Sequence, residues 1–93
     1  MLDKEAAISR AAEYLAAKSE EWGKGGEVRL SAESAFLDGE DLVVCYDTIA
    51  YLDHGDEMER LAGNNPIKVD LNTGECHFIP FVEALEYMNK GLI

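Results

Sequence analysis

Histidine and cysteine side chains could supply metal binding or nucleophilic chemistry, and this chain has few of them. It holds two histidines, His54 and His77, and two cysteines, Cys45 and Cys76. Cys76 and His77 are neighbours in a segment that alternates like a strand, so their side chains point to opposite faces and cannot work as a nucleophile and its base. Cys45 and His77 could meet only if their strands are adjacent. The sequence therefore gives little support for an active thiol.

The spacing of the other polar residues does not indicate a metal or phosphate site. The chain has no Cys-x-x-Cys pair, no His-Glu-x-x-His run and no Gly-x-Ser-x-Gly elbow, and the acidic residues around His54 lack the spacing of a calcium loop. Gly23, Gly25 and Gly26 do not follow a strand, which a phosphate-binding loop requires. We predict a protein that is not an enzyme, with no catalytic, cofactor-binding or metal-binding residues and no cofactor.

Length and composition indicate one small domain spanning residues 1–93. The chain is 47% hydrophobic and 29% charged, as globular proteins are, and is long enough for one core. Two cysteines are expected to be free buried thiols, and the alternative is a single cross-strand disulfide. The start of the chain lacks a signal-peptide pattern, and no apolar run approaches the ~20 residues of a membrane span. We therefore expect a cytoplasmic protein without membrane association.

The acidic residues are concentrated in the middle of the chain. The formal net charge is −11, and the stretch from Leu30 to Glu59 contains no Lys or Arg. Its acidic residues are Glu33, Asp38, Glu40, Asp41, Asp47, Asp53, Asp56, Glu57 and Glu59. Such a surface repels nucleic acid and anionic lipid and attracts basic partners, so we predict no binding of DNA or RNA. The alternative is that the acidity only keeps the protein soluble.

Hydrophobic periodicity predicts a helix at each end of the chain. Residues 2–22 carry an apolar stripe with three- and four-residue spacing, and Asp3 is placed to cap this helix. The stripe comprises Ile8, Ala11, Leu15 and Trp22, with Ala12 beside it. Pro80 ends the last strand, and residues 81–90 form a second helix on which Phe81, Leu85 and Met88 share a stripe.

Two predicted hairpins lie between these helices. The first pairs residues 27–32, extended to Leu37 through a bulge, with an apolar central strand at 42–46, and an Asp-Gly turn joins them. The second pairs residues 67–71 with 75–79 around Asn72-Thr73-Gly74. The element order is α-β-β-loop-β-β-α. We predict a two-layer α+β domain with an antiparallel sheet of about four strands and both terminal helices packed on one face.

The segment between the hairpins, residues 49–65, is the predicted contact region for a partner. Residues 50–52 form either a strand end or a helical turn, and residues 57–62 are expected to form a short helix. Aromatic and Met side chains are enriched at interface centres, although Tyr51 and Met58 could instead pack beneath the loop. Tyr46, Leu52 and Trp22 are assigned to the core. The candidate partner-binding residues are Asp47, Tyr51, Asp53, His54, Asp56, Glu57, Met58 and Glu59.

Residues 51–75, YLDHGDEMERLAGNNPIKVDLNTGE, resemble the signature of the bacterial immunity protein 35 family, which includes the YrhB-like proteins. The closing helix with Leu85-Glu86-Tyr87 also fits, and Asn65 stands where a smaller residue is expected. The matching residues are Tyr51-Leu52, Gly55-Asp56, Leu61-Ala62-Gly63-Asn64, Pro66, Val69-Asp70 and Thr73-Gly74-Glu75.

This resemblance implies a non-catalytic immunity protein of a polymorphic toxin system. Such a protein binds a cognate bacterial toxin and neutralises it. The charge pattern, in turn, suggests that it occludes the active site of the toxin with the acidic surface from Glu33 to Glu59. The toxin would be a basic nuclease, or a peptidase or amidase. The alternative function is a heat-shock, chaperone-like holdase. An exposed strand edge also leaves a homodimer open.

Overall fold

The four strands pair in the order in which they occur along the chain. A computed structural model describes residues 1–23, 26–60 and 65–92. The sheet has the strand order β1-β2-β3-β4 and is antiparallel throughout. The elements are α1 (Lys4–Glu21), β1 (Val28–Asp38), β2 (Asp41–Thr48), α2 (Ile49–His54), a 3-10 turn (Glu57–Glu59), β3 (Ile67–Asp70), β4 (Cys76–Phe78) and α3 (Phe81–Asn89). The predicted α+β class, four-stranded antiparallel sheet and element order are confirmed.

Helix α1 covers one face of the sheet with small and branched side chains. Its N-terminus is capped as predicted, because the Asp3 carboxylate accepts a hydrogen bond of 2.8 Å from the Ala6 N–H. Ala7, Ala11 and Leu15 recur every four residues and are buried. They pack against the buried side chains of Leu30, Leu42, Val44, Tyr46, Ile67, Val69 and Leu71. This is the main hydrophobic core.

Trp22 lies at the border of that core, whereas the sequence assigned it to the interior. The helix ends at Glu21, and 46% of Trp22 is exposed. Its ring packs over Phe78 and Tyr46, with ring centroids 5.6 Å and 6.3 Å away. One side of the indole therefore covers the aromatic end of the core. The other side is exposed, because the sheet provides a surface for one side of the ring only.

The long first hairpin contains the predicted bulge. The register between β1 and β2 shifts between Ser31 and Phe36. The Ser34 hydroxyl donates to the Ser31 carbonyl at 2.7 Å and accepts from the Cys45 N–H at 3.2 Å. This side chain fills the gap that the bulge leaves in the ladder. The predicted turn is also confirmed, since Gly39 has a φ of 62° between the paired residues Asp38 and Asp41.

Helix α3 lies on the face opposite α1, which corrects the prediction that both helices pack on one face. Ala84 and Tyr87 are buried with Val43 and Ile79 in a second, smaller core. Side chains alternate along a strand, so Val43 points away from the α1 side, which Leu42 and Val44 occupy. The central strand is apolar on both sides, and each side needs a cover. The sheet therefore has a helix on each face instead of belonging to a two-layer domain.

The rotation of α3 also differs from its sequence pattern. Ala84 and Tyr87 are only 5% and 4% exposed, whereas Phe81, Leu85 and Met88 are 61%, 37% and 54% exposed. The small Ala84 side chain permits close approach to the sheet. Tyr87 packs edge-on against Phe36, with ring centroids 5.3 Å apart. The stripe that the spacing indicates is present but does not form the contact with the sheet.

Candidate functional site

Within the predicted contact region, residues 49–60 together with Thr48 form a folded and capped segment, residues 48–60, which we call the acidic segment. The Thr48 hydroxyl accepts from the Tyr51 N–H at 3.1 Å and so caps α2. The same hydroxyl donates to the Glu59 carbonyl at 2.8 Å. Gly55 ends α2 with a left-handed φ of 68°. One hydroxyl group therefore ties the beginning of the segment to its end.

The 3-10 turn presents the most exposed large hydrophobic side chain of the described residues. The Asp56 carboxylate accepts from the Met58 N–H at 3.1 Å and caps the turn at Glu57–Glu59. Met58 is 91% exposed. The predicted helix over residues 57–62 is instead a single 3-10 turn that ends at Glu59, because Arg60 is extended; residues 61–64 lie outside the described residues. Residues 50–52, which the sequence left open between strand and helix, are helical.

An ion pair attaches the acidic segment to the sheet. The Arg29 guanidinium contacts Asp53 Oδ1 with Nη2 at 2.5 Å and Nε at 3.2 Å. Arg29 lies opposite Asp47 in the β1–β2 ladder, and the next residue, Leu30, faces α1. The ion pair is therefore on the α3 side of the sheet. The hydrogen bond from Arg29 holds the pKa of the Asp53 carboxyl below its usual value.

Seven of the eight predicted partner-binding residues lie together in the acidic segment. Tyr51 is half-buried, and the Arg60 guanidinium lies 5.3 Å from its ring centroid. Asp47 is separate from the other seven because it is only 9% exposed in β2, where its Oδ1 accepts from the Thr48 N–H at 2.7 Å. The exposed members of the group are Asp53, His54, Asp56, Glu57, Met58 and Glu59.

Tyr46 and Leu52, which the sequence assigned to the core, differ in burial. Tyr46 is 7% exposed and belongs to the core, as predicted. Leu52 is half-buried within α2. The most exposed large hydrophobic side chain of the segment is thus Met58, and Tyr51 is partly accessible.

A polar network holds α3 to the sheet, and sequence reasoning did not identify it. The Lys68 ammonium contacts Glu83 at 2.8 Å and Asp41 at 3.8 Å. The Tyr87 hydroxyl donates to Asp38 Oδ2 at 2.6 Å. Partial burial alone would lower the pKa of Lys68, but interactions with Glu83 and the Tyr87 hydroxyl outweigh it and raise the pKa above its usual value. The alternation of Lys68 with Ile67 and Val69 was the available signal.

The cysteines and histidines are not arranged for catalysis. Strand β3 lies between β2 and β4, so Cys45 is not a strand neighbour of His77. Cys76 packs against the α1-side core, while Cys45 lies on the other side by alternation with Val44. Both are free thiols, so the alternative of a disulfide is wrong. Burial raises the pKa of each thiol, which lowers the fraction of reactive thiolate.

Residues 1–23, 26–60 and 65–92 contain neither a cluster of potential metal ligands nor a membrane-spanning helix. No group of three or more His, Cys, Asp or Glu side chains there is placed to hold a metal ion. None of the helices in these ranges is long and apolar enough to cross a membrane. The acidic segment carries an exposed thioether, that of Met58, among exposed carboxylates.

Two of the family-like residues, Pro66 and Gly74, shape the second hairpin. Gly74 has a φ of 79°, its N–H donates to the Asp70 carbonyl at 2.7 Å, and a side chain there would contact Arg10 and Leu2. The Pro66 carbonyl accepts from Ile79 at 3.0 Å. These residues therefore build the second hairpin and seat it against α1.

Comparison with known proteins identifies a family. The model of the family described as immunity protein 35 matches residues 5–88. The Escherichia coli (strain K12) protein described as uncharacterized protein YrhB is 40% identical over 42 residues, which are 45% of this chain and 45% of YrhB. No solved structure matches. Because the family match extends over nearly the whole chain, from residue 5 to residue 88, this protein belongs to the immunity protein 35 family.

Proposed function

We propose that this chain binds a cognate bacterial toxin domain in the cytoplasm and neutralises it by covering its active site with the acidic segment. Membership in an immunity-protein family supports the binding of a toxin. The observation that carries the proposal is Met58, 91% exposed on a capped turn and flanked by Glu57 and Glu59. A well-positioned apolar side chain among charges is the arrangement of an interface centre and its rim.

Electrostatics would act mainly on the rate of association. The chain carries a net charge of −11, and the acidic segment has exposed carboxylates at Asp53, Asp56, Glu57 and Glu59. Surfaces of one sign attract partners of the other sign and accelerate their encounter, most strongly at low ionic strength. Met58 would then contribute to the lifetime of the complex by filling an apolar site on the toxin.

Charge complementarity favours a toxin whose active-site groove is basic. A nuclease has such a groove because it binds a polyanion. A peptidase or amidase is also compatible with the family. In both cases this chain contributes a surface and no catalytic group.

Co-expression with the neighbouring reading frame is the direct test. We expect that frame to be toxic when induced alone in a bacterial host and harmless when this chain is produced with it. A tag on this chain should co-purify the toxin. A harmless neighbour and no co-purified protein would contradict the proposal.

Charge reversal tests the role of the acidic segment. Asp53→Lys, Asp56→Lys and Glu57→Lys combined should slow association with the toxin by about tenfold at low ionic strength and flatten the salt dependence. The matched control combines Glu13→Lys, Glu20→Lys and Glu75→Lys, which are exposed outside the acidic segment and change the net charge equally. Equal association rates for the two triple variants would remove the acidic segment from the mechanism.

A second candidate function is that of a holdase for unfolded chains. Exposed apolar side chains favour it, since Met58 and several residues of α3 are accessible. A holdase suppresses the heat-induced aggregation of unrelated proteins at stoichiometric amounts. An immunity protein leaves their aggregation unchanged, and so light scattering of a heated test protein separates the two functions.

A further inference from the structure

Helix α3 presents an apolar surface that the fold does not use. Phe81, Leu85 and Met88 follow one another at intervals of four and three residues, which places them along one side of the helix, and Leu92 follows beyond its end. They are 61%, 37%, 54% and 44% exposed. We call these four residues the α3 stripe. Adjacent exposed side chains of this size typically mark an interaction site.

The stripe is held in place by contacts that do not use its side chains. Ala84 and Tyr87 pack in the second core, and the Tyr87 hydroxyl bonds to Asp38 at 2.6 Å. The Gly91 N–H donates to the Met88 carbonyl and the Leu92 N–H to the Tyr87 carbonyl, both at 3.0 Å. This pair of bonds is a Schellman motif and fixes Leu92 beyond the end of the helix. A partner therefore meets a preorganised surface and loses little entropy in ordering it.

The α3 stripe and the acidic segment belong to the same side of the sheet. Along β2, Val43 lies beneath α3, and Asp47 lies beside Arg29, which holds Asp53. Val43 and Asp47 are four residues apart along β2, which corresponds to about 13 Å. One partner with an interface of ordinary size, about 800 Å² on each side, can span both.

Charge around the stripe decides between a second copy of this chain and a different partner. The acidic residues near the stripe are Glu83 and Glu86 on α3 and Asp38 and Asp41 on the strands beneath it. The basic residues there are fewer, namely Lys68 and Lys90. Two copies joined at this face would bring like charges together, with a net charge of −11 on each chain. The complementary partner has an apolar surface bordered by Lys and Arg.

We propose that the α3 stripe is a second contact of the toxin interface and takes an apolar surface with a basic border on the same toxin domain that the acidic segment covers. This proposal rests on the proposed function. It divides the interface into an acidic region that accelerates association and an apolar region that slows dissociation.

The test removes the apolar side chains and keeps the helix. Phe81→Gln, Leu85→Gln and Met88→Gln combined should weaken binding of the catalytically inactivated toxin by about a hundredfold, through faster dissociation. Leu37→Gln is the control, because Leu37 is 55% exposed and pairs with Leu42 on the α1 side. Circular dichroism and urea unfolding verify the fold of each variant. The three single variants are measured as well, so that a folding defect in the combined variant does not decide the result.

The sign of the border is tested at one position. Leu85→Lys and Leu85→Glu remove the same apolar contact and differ in charge. If the border on the toxin is basic, the Lys variant should bind about tenfold more weakly than the Glu variant at low ionic strength, and the difference should shrink with salt.

Three results would overturn the proposal. Binding of the triple Gln variant within about twofold of the unchanged chain would exclude the stripe while the proposed function stands. A failure of the unchanged chain to bind or block the toxin would end both. Light scattering in solution that shows a dimer, converted to a monomer by the triple Gln variant, would assign the stripe to a second copy.

Discussion

The two faces of the sheet differ in how completely they are covered. On the α1 side, buried apolar side chains from the helix meet those of β1, β2 and β3 in one core. On the α3 side, the second core involves Val43, Ile79, Ala84 and Tyr87, and polar contacts of Lys68 and Asp38 complete it. The first face supplies most of the apolar burial, and the second keeps charged and apolar groups accessible. Most of the apolar burial is thus on one side of the sheet, and the proposed partner contacts are on the other.

The largest expected effect tests this separation directly. Ile67 is fully buried in the core on the α1 side. Ile67→Ala should lower the free energy of unfolding by about 3 kcal/mol because it leaves a cavity. Leu85→Ala on the α3 stripe should change it by only about 0.5 kcal/mol. Urea unfolding followed by the fluorescence of Trp22 measures both. Similar losses for the two variants would show that the stripe contributes to the core.

A second prediction concerns the polar network under α3. Lys68→Met leaves Glu83 and Asp41 without their cation and should lower the free energy of unfolding by about 1–2 kcal/mol. The exposed Lys90→Met serves as control. Because the folded state raises the pKa of Lys68, its contribution is fully present below the ordinary lysine pKa of about 10.4 and is lost as the pH rises through the raised value. Equal alkaline unfolding profiles for the Lys68→Met variant and the unchanged chain would contradict this.

Loss of the hydrogen bonds that the Thr48 hydroxyl makes across the acidic segment should have a smaller and more local effect on stability. Thr48→Val removes the hydroxyl that caps α2 and binds the Glu59 carbonyl, at a cost of about 1 kcal/mol. Amide exchange at Tyr51 should accelerate, while exchange in β3 should not. Thr48→Ser keeps the hydroxyl and should behave like the unchanged chain. Unaltered amide exchange of the acidic segment in the Thr48→Val variant would show that the Thr48 hydroxyl does not hold the segment in place.

The smallest expected effect is a change in the pKa of Asp53, at the border between the sheet and the acidic segment. Carboxyl NMR should give Asp53 a pKa below the ordinary value of about 3.9, and Arg29→Met should bring it back toward that value. The stabilising contribution of the pair is therefore present above the ordinary pKa and disappears as the pH falls through the lowered one. An unchanged pKa in the Arg29→Met variant would mean that the ion pair does not form in solution.

Much of the fold could be predicted because its signals are local. The helix α1, the Asp3 cap, the bulge in β1 and the Asp-Gly turn at Gly39 all appear in the structure, although α1 buries Ala7 beside Ala11 and Leu15 and leaves Ala12 exposed. Each depends on residues that are close in sequence. The clustering of the candidate site was predictable for the same reason, since the residues of the acidic segment are consecutive.

Predictions that depended on distant residues were less successful. Asp47 is buried although it belongs to the acidic run, because its position in β2 places it beside Arg29 and beneath the start of α2. Trp22 is half-exposed because the aromatic side chains beneath it cover one side of its ring only. Local composition does not indicate which strand lies beneath a side chain.

The sequence by itself determined the class of the protein, the order of its elements, the acidic character of residues 48–60 and the likeness to an immunity family. Only the tertiary structure decided which face α3 covers and which of its sides stays exposed. Apolar residues occur on more than one side of α3, so its own periodicity permits several rotations. The contacts with Phe36, Val43 and Lys68, which come from three different strands, select the rotation that leaves the α3 stripe exposed.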